Sequence, residues 1–137
     1  MAARTRILVV DDIPLMRAML CKYLARLAPK VLHGAGKAAE IELVEAENGA
    51  AALEILQSRT VDIVFLDLMM PEMDGLTFLR RKQQEPALAQ IPVVVCSALD
   101  DAGTREQIEA LEVTVSIRKP FNMQAIEQGL GTVAAML

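Results

Sequence analysis

Short apolar runs alternate along the chain with longer segments in which apolar residues recur every three or four positions. The runs are rich in Val, Ile and Leu, which is typical of strands buried on both faces of a parallel sheet. The longer segments have the spacing of amphipathic helices. The sequence predicts strands over residues 7–10, 41–46, 61–66, 91–96 and 113–117.

Capping residues and helix breakers bound five predicted helices. Pro14 suits the first turn of a helix, where its missing N–H costs nothing. The expected N-caps are Asn48, Asp74, Asn122 and either Asp100 or Asp101. The helices are predicted over residues 14 to about 28, 49–58, 75 to about 84, 101 to about 111 and 123 nearly to 137. Alternating strands and helices with short right-handed crossovers indicate an α/β fold with a parallel sheet covered on both faces.

Residues 29–40 break this pattern. Pro29 is expected to end the first helix. The segment after it has no clear period and two glycines, so we interpret it as a loop that holds at most a helical turn. The GAGK within it does not complete a phosphate-binding loop, because Val31 and Ala38 occupy positions that need Gly and Ser or Thr. His33, the only histidine, is expected to be a solvated surface residue.

Composition sets limits on the class of protein. The chain has 137 residues, of which 53% are hydrophobic, and this fits one domain with a proper core. A net charge of −4 argues against nucleic acid as a direct partner. No apolar run suits a membrane span or a secretory signal, so we expect a cytoplasmic protein in which Cys21 and Cys96 are reduced. The last predicted helix reaches the last residues, so no output domain is expected within residues 1–137.

Polar side chains follow four of the predicted strands. Asp11 and Asp12 follow the first strand, Asp67 the third, Ser97 the fourth and Lys119 the fifth. The carboxyl ends of parallel strands share one edge of the sheet, where ligands bind in such folds. If the first strand is central and the third flanks it, the three carboxylates converge and repel, and a hard divalent cation such as Mg²⁺ relieves that repulsion.

A cation, a lysine and a hydroxyl around one carboxylate suit the transfer of a phosphoryl group. Charge on such a group spreads over its equatorial oxygens and is matched by positioned donors. Asp67 would then be the nucleophile that forms an acyl phosphate. An acidic rim that binds nothing specific is the alternative, and Ser97 and Lys119 argue against it.

These motifs together resemble the receiver domain of response regulators. The resemblance rests on Asp11-Asp12, DLMMPEMDG from Asp67, Ser97-Ala98, and Lys119-Pro120-Phe121. It covers nearly the whole chain and implies a CheY-like, flavodoxin-like fold with sheet order 2-1-3-4-5. It also implies site roles: phosphorylation at Asp67; Mg²⁺ held by Asp11, Asp12, Asp67 and the Met69 carbonyl; phosphoryl contacts from Ser97, Ala98 and Lys119; and a cis peptide before Pro120.

Two features depart from the resemblance. Receivers usually carry an aromatic residue three positions before the lysine, as a side chain that moves on activation, whereas this chain has Ser116. The surface formed by the fourth helix, fifth strand and fifth helix should therefore be less filled. Residues 29–40 are also longer than the usual connection, which is either a neutral insertion or a partner contact specific to this protein.

The resemblance implies a signalling switch that is not an enzyme beyond its own phosphorylation and dephosphorylation. The phosphoryl group would come from a sensor histidine kinase or histidine phosphotransfer protein, and a downstream protein would read the altered surface, with homodimerisation as a further option. Two alternatives stay open. One is an interaction module that is never phosphorylated. The other is a haloacid-dehalogenase-type phosphatase, disfavoured because Met69 stands where that class needs an acid.

Overall fold

The computed structural model describes residues 4–36, 40–68, 70, 73–97, 102–111, 113, 115–119 and 121–137. Its five strands are β1 (Arg4–Val10), β2 (Glu40–Ala46), β3 (Ile63–Leu66), β4 (Val93–Ser97) and β5 (Val115–Arg118). All neighbouring strands are parallel, in the order β2-β1-β3-β4-β5. The predicted flavodoxin-like fold and its strand order are therefore confirmed.

Six helices lie within the described residues: α1 (Pro14–Gly34), α2 (Gly49–Ser58), α3 (Gly75–Gln84), α4 (Pro86–Ala89), α5 (Ala102–Ala110) and α6 (Met123–Ala134). The short α4 was not predicted, because a single turn beginning at Pro86 leaves no periodic pattern. Three predicted N-caps are confirmed by carboxyl or amide oxygens that accept a backbone N–H: Asn48 from Ala51, Asp74 from Thr77, and Asn122 from Ala125. The predicted cap at residues 100–101 lies outside the described residues.

The prediction that α1 ends at Pro29 was wrong. The helix continues to Gly34 with Pro29 inside it. Proline removes one i→i−4 hydrogen bond and crowds the preceding turn. Here Ala28 and Leu32, on either side of the proline, are fully buried in the core beneath α1 and α6, and this burial offsets the lost bond. Residues 29–34 are therefore helix and not loop, while residues 37–39 lie outside the described part.

The sheet separates two apolar layers. On one face α1 and α6 cover alternate strand residues such as Ile7, Val9 and Phe65. On the other face α2, α3, α4 and α5 cover the intervening residues, such as Leu8 and Val64. Strands buried on both faces explain the continuous apolar runs of the sequence. None of the helices in the described ranges is both long enough and apolar enough to cross a bilayer.

Candidate functional site

Backbone hydrogen bonds extend the sheet beyond its strand ends and thereby fix three charged residues at one edge. The Asp11 N–H donates to the Ala46 carbonyl at 3.2 Å, and the Asp67 N–H donates to the Val10 carbonyl at 2.9 Å. The Lys119 N–H donates to the Ser97 carbonyl at 2.9 Å. Each side chain is thus held by a neighbouring strand, so the site is built on rigid elements.

Three carboxylates converge at this edge. One carboxylate oxygen from each of Asp11, Asp12 and Asp67 lies within 4.8 Å of the other two. Asp11 is 2% exposed and Asp67 is 5% exposed. Like charges this close and this poorly solvated repel one another, and a group of this kind is stable only with compensating positive charge.

Lys119 supplies part of that compensation. Its ammonium donates to Asp11 Oδ2 at 3.1 Å and lies 3.6 Å from Asp67 Oδ1. The lysine side chain is 13% exposed, so these are shielded ion pairs. One lysine balances one charge of three, and the cluster keeps a net negative charge.

The remaining oxygens indicate room for a cation. Asp11 Oδ1 accepts the Ile13 N–H at 2.9 Å, whereas Asp12 Oδ1 is buried with no hydrogen-bond partner among the described residues. A buried carboxylate oxygen without a partner is costly, and a bound cation would satisfy it. Oxygen-only donors with a spread of a few ångströms suit Mg²⁺, which holds oxygens at about 2.1 Å. The residues present therefore fit the ion.

Close backbone contacts shape the loop that carries Asp67. The Gly75 N–H donates to the Leu68 carbonyl at 2.9 Å. A Cβ placed on Gly75 would lie 2.6 Å from the Asp67 carbonyl oxygen and 2.7 Å from the Leu68 Cα. Only glycine permits this approach, so Gly75 fixes the start of α3 against the loop. The sequence showed Gly75 as a turn signal, but the contact itself required the structure.

Arg17 steadies the other side of the site. Its Nη1 donates to the Asp11 carbonyl oxygen at 2.8 Å, and its Nε pairs with Glu45 at 3.0 Å. The sequence did not single out Arg17, because nothing in the helical pattern distinguishes it from the other cations of α1. The arginine holds the first turn of α1 against the end of β1.

Ser97 ends β4 at the same edge and is 3% exposed. Its neighbour Cys96 is buried, and this burial raises the pKa of the thiol to about 12. Burial likewise raises the pKa of Cys21 to about 11. Both cysteines are free thiols that stay protonated at neutral pH, as expected for packing residues.

Ser116 lies away from the carboxylates, exposed on β5. A cavity of about 300 Å³ on one side of it is lined by Ser97, Arg105, Ile108 and Ile117 among others. A groove of about 420 Å³ on the other side runs between β5 and α6. The expected unfilled surface around Ser116 is therefore present. The predicted site residues Met69, Ala98 and Pro120 lie outside the described residues.

Comparisons with known proteins agree with this geometry. Residues 7–130 match the family model of the response regulator receiver domain. The chemotaxis protein CheY of Bacillus subtilis is 34% identical over 127 residues, which cover 91% of this chain and 93% of that protein. The solved structure of the chemotaxis response regulator CheY4 of Vibrio cholerae superposes with a TM-score of 0.79 at 23% identity, covering 96% of this chain and 99% of that one.

Longer proteins also contain a similar segment. A protein-glutamate methylesterase/protein-glutamine glutaminase of Cereibacter sphaeroides is 39% identical over 130 residues, which cover 93% of this chain. The match covers 31% of that protein, so this chain spans about a third of the length of such relatives. The similarity concerns one domain of those proteins.

Proposed function

The chain belongs to the response regulator receiver domain family, and from this premise we propose that it is a phosphorylation switch with Asp67 as the acceptor. The single observation that carries the proposal is the convergence of three carboxylates and Lys119 at one sheet edge. An acidic rim that binds nothing specific does not require a buried ammonium within 4 Å of two of its carboxylates.

Asp67 is the proposed nucleophile. A carboxylate oxygen of Asp67 attacks the phosphorus of a phosphohistidine on a kinase or phosphotransfer protein. The new P–O bond replaces the P–N bond, and the histidine leaves with a proton from solvent. The Asp67 N–H bonded to the Val10 carbonyl fixes the backbone of Asp67 directly after β3, which places its carboxylate at this edge of the sheet.

Asp11 and Asp12 would hold Mg²⁺ together with Asp67. The bound ion would neutralise part of the charge on the transferring oxygens. Asp11 is oriented for this by the Ile13 N–H, and the unpartnered Asp12 Oδ1 gains a ligand to contact. The Met69 carbonyl is proposed as a further ligand on family resemblance alone.

Lys119 and Ser97 would bind the phosphoryl group after transfer. The ammonium between Asp11 and Asp67 would exchange part of its carboxylate contact for a phosphoryl oxygen, and the Ser97 hydroxyl would donate to another. Because Ser97 also lines the cavity beside Ser116, movement at Ser97 would alter the surface of α5, β5 and α6. We propose that a downstream protein, or a second copy of the chain, reads this surface in the cytoplasm.

Acetyl phosphate tests the assignment without any partner. Incubation with Mg²⁺ should add the mass of one phosphoryl group, and peptide mapping should locate it on Asp67. The Asp67→Asn variant should stay unmodified, whereas Asp62→Asn, at a carboxylate far from the site, should be modified like the unaltered chain. Modification of the Asp67→Asn variant at another residue would refute the proposed acceptor. Release of phosphate in many turnovers from a general phosphoester would instead indicate a phosphatase.

A further inference from the structure

Three of the eight methionines of the chain lie in the loop between Asp67 and Gly75, at residues 69, 70 and 73. Met70 and Met73 are partly exposed and pack against the apolar layer on the α2 side of the sheet. The thioether of methionine is a side chain that peroxides oxidise to a sulfoxide. The loop that follows the proposed acceptor therefore presents oxidisable sulfur atoms close to solvent.

Met73 joins this loop to the start of α2. Its carbonyl oxygen accepts the Gly49 N–H at 3.1 Å. A Cβ placed on Gly49 would lie 2.6 Å from that oxygen and 2.9 Å from the Met73 Cγ, so the methionine side chain lies directly on the backbone of the helix. Gly49 is buried beneath this contact. An oxygen added to the Met73 sulfur would be only two bonds from the contacting Cγ.

The contact helps to set the path of the loop after the acceptor. At the base of the loop the Gly75 N–H donates to the Leu68 carbonyl at 2.9 Å, and Leu68 directly follows Asp67. The hydrogen bond between Gly49 and Met73 fixes the same loop on its α2 side. Loss of that second bond would leave the backbone next to Asp67 less restrained.

The sulfur atoms of the chain differ in how readily a peroxide oxidises them. Burial raises the pKa of Cys96 to about 12 and that of Cys21 to about 11, so both thiols are protonated at neutral pH and react slowly. A thioether reacts without losing a proton, so its exposure decides its rate. Met73 is both open to a small oxidant and packed against α2. Met136 is 59% exposed and lies beyond α6, away from the loop.

We propose that Met73 is a site of oxidation by hydrogen peroxide, and that its sulfoxide loosens the loop from α2 and slows phosphorylation. A lone pair on Sδ attacks one peroxide oxygen, and the S–O bond forms while the O–O bond breaks. The departing hydroxide takes the proton of the transferred oxygen and leaves as water, so the sulfur loses two electrons and the peroxide gains them. A polar sulfoxide packed against apolar side chains is unfavourable. The clause on phosphorylation rests on the proposed function, whereas oxidation and loosening do not.

The opposite effect has a defined signature. In the first turn of α2 the Gly49 N–H bonds to Met73 and the Ala51 N–H bonds to the Asn48 side chain, whereas the Ala50 N–H has no partner among the described residues. A sulfoxide oxygen that accepted this N–H would tighten the loop on the helix. Hydrogen exchange at the Gly49 amide separates the two effects, because loosening speeds exchange and tightening slows it.

Oxidation and exchange are measured on the full chain. Millimolar hydrogen peroxide at neutral pH should add one oxygen to Met73, as peptide mass mapping detects, and the Gly49 amide should then exchange at least about tenfold faster by NMR. The Asp62 N–H, which donates to the Arg6 carbonyl at 2.9 Å near the other end of β3, is the reference and should exchange as before. An unmodified Met73, unchanged or slower exchange at Gly49, or an equal change at Asp62 would overturn the proposal.

Two conservative variants assign the effect to one methionine. Met73→Leu keeps an apolar side chain that peroxide does not oxidise, so neither Gly49 exchange nor modification by acetyl phosphate should respond to peroxide. Met136→Leu is the matched control and should respond like the unaltered chain, in which peroxide should slow modification of Asp67 at least about threefold. Methionine sulfoxide reductase should reverse the change in the unaltered chain.

The outcomes separate the proposal from the function on which part of it rests. A response to peroxide that persists in Met73→Leu, or that Met136→Leu abolishes, would refute the site. Faster exchange at Gly49 with an unchanged rate of modification at Asp67 would overturn the clause on phosphorylation alone. Absence of modification at Asp67 before any peroxide is added would count against the proposed function instead.

Discussion

Two charged clusters at opposite ends of β1 are built in opposite ways. At the start of the strand one carboxylate, Glu42, accepts hydrogen bonds from Arg4, Arg6 and Arg59 at 3.0–3.2 Å. At its end three carboxylates share one lysine. The two clusters are roughly 17 Å apart along the strand. With Glu40 on Arg4 and Asp62 on the Arg6 N–H included, the first cluster has one arginine for each carboxylate, whereas the second has one lysine for three carboxylates.

The balance of donors and carboxylates distinguishes a self-compensated charge network from one that can take up a cation. The hydrogen bonds from Arg6, followed by those from Arg4 and the arginine charges, hold the pKa of Glu42 below its usual range. Glu42 is also partly exposed, so its pairs are screened and contribute modestly. The buried aspartates have fewer hydrogen-bond donors than Glu42 and little contact with water. Binding a cation would therefore lower the repulsion among them. The comparison makes five predictions.

Lys119→Met should have the largest effect. Removing the ammonium leaves Asp11 and Asp67 buried without their counter-charge, which should lower the free energy of unfolding by about 3 kcal/mol without Mg²⁺. Urea unfolding with and without Mg²⁺ measures this, and the ion should restore part of the loss. Arg59→Met at the Glu42 cluster is the control and should cost less than about 1 kcal/mol. Equal losses at the two clusters would remove the distinction between them.

Gly75→Ala should displace the loop that carries Asp67 and leave the Glu42 cluster unchanged. The added Cβ would meet the Asp67 carbonyl at 2.6 Å, and backbone atoms cannot move away cheaply. We expect a loss of about 2 kcal/mol in stability together with slower modification by acetyl phosphate. Gly131→Ala is the control, because a Cβ there meets nothing within 4 Å. An unchanged modification rate in Gly75→Ala would show that the loop tolerates displacement.

Lys82→Met tests a buried cation outside both clusters. Lys82 is 2% exposed, and its ammonium donates to the Ala89 carbonyl at 3.1 Å. Burial lowers its pKa to about 8. Since the unfolded chain holds that proton up to its ordinary pKa near 10.4, the stability of the unaltered protein should rise between those two pH values.

The variant should remove this pH dependence. At pH 7 Lys82→Met should stabilise the protein by about 1–2 kcal/mol, because the cost of burying the charge exceeds the lost hydrogen bond. Thermal melts from pH 7 to 11 give the comparison, and Lys22→Met on the surface should change little. A variant less stable than the unaltered protein at pH 7 would mean that the hydrogen bond to the Ala89 carbonyl contributes more than the burial of the charge costs.

Asp12→Asn should act in opposite directions with and without metal. Removing one of three like charges should stabilise the Mg²⁺-free protein by about 1 kcal/mol. The same change should weaken Mg²⁺ binding by at least about tenfold, since a neutral amide is a poorer ligand for a hard cation. Thermal melts and calorimetric titration measure the two effects. Stabilisation without loss of Mg²⁺ affinity would exclude Asp12 as a ligand.

Glu42→Gln should have the smallest effect on stability. It should destabilise the protein, whereas Asp12→Asn should stabilise the Mg²⁺-free protein. Loss of its partly exposed ion pairs should destabilise the protein only slightly at pH 7 and leave Mg²⁺ affinity unchanged. Because the pKa of Glu42 is lowered in the folded state, its contribution is full above the ordinary glutamate pKa and is lost as the pH falls through the lowered value. Urea unfolding at pH 7 and pH 3 should therefore show the variant converging on the unaltered protein at acid pH.

Prediction from sequence succeeded where the signal was local. The caps at Asn48, Asp74 and Asn122 followed from residue type and position, and the parallel sheet followed from the alternation of apolar runs and helical periods. It failed at Pro29, because the burial of Leu32 against a helix a hundred residues later outweighs a local breaker. The three arginines on Glu42 also left no local signal, since Arg4 and Arg6 lie on β1, Glu42 lies on β2 and Arg59 follows α2.

Local sequence patterns were enough to identify the residues that end the strands, and therefore the side chains that one edge of the sheet presents. Three features required the folded chain: the Lys119 ammonium lies between Asp11 and Asp67, Gly75 touches the backbone of Asp67 and Leu68, and α1 continues past Pro29. The reason is that periodicity and capping act over a few residues, whereas distances between side chains depend on packing among segments far apart in the chain.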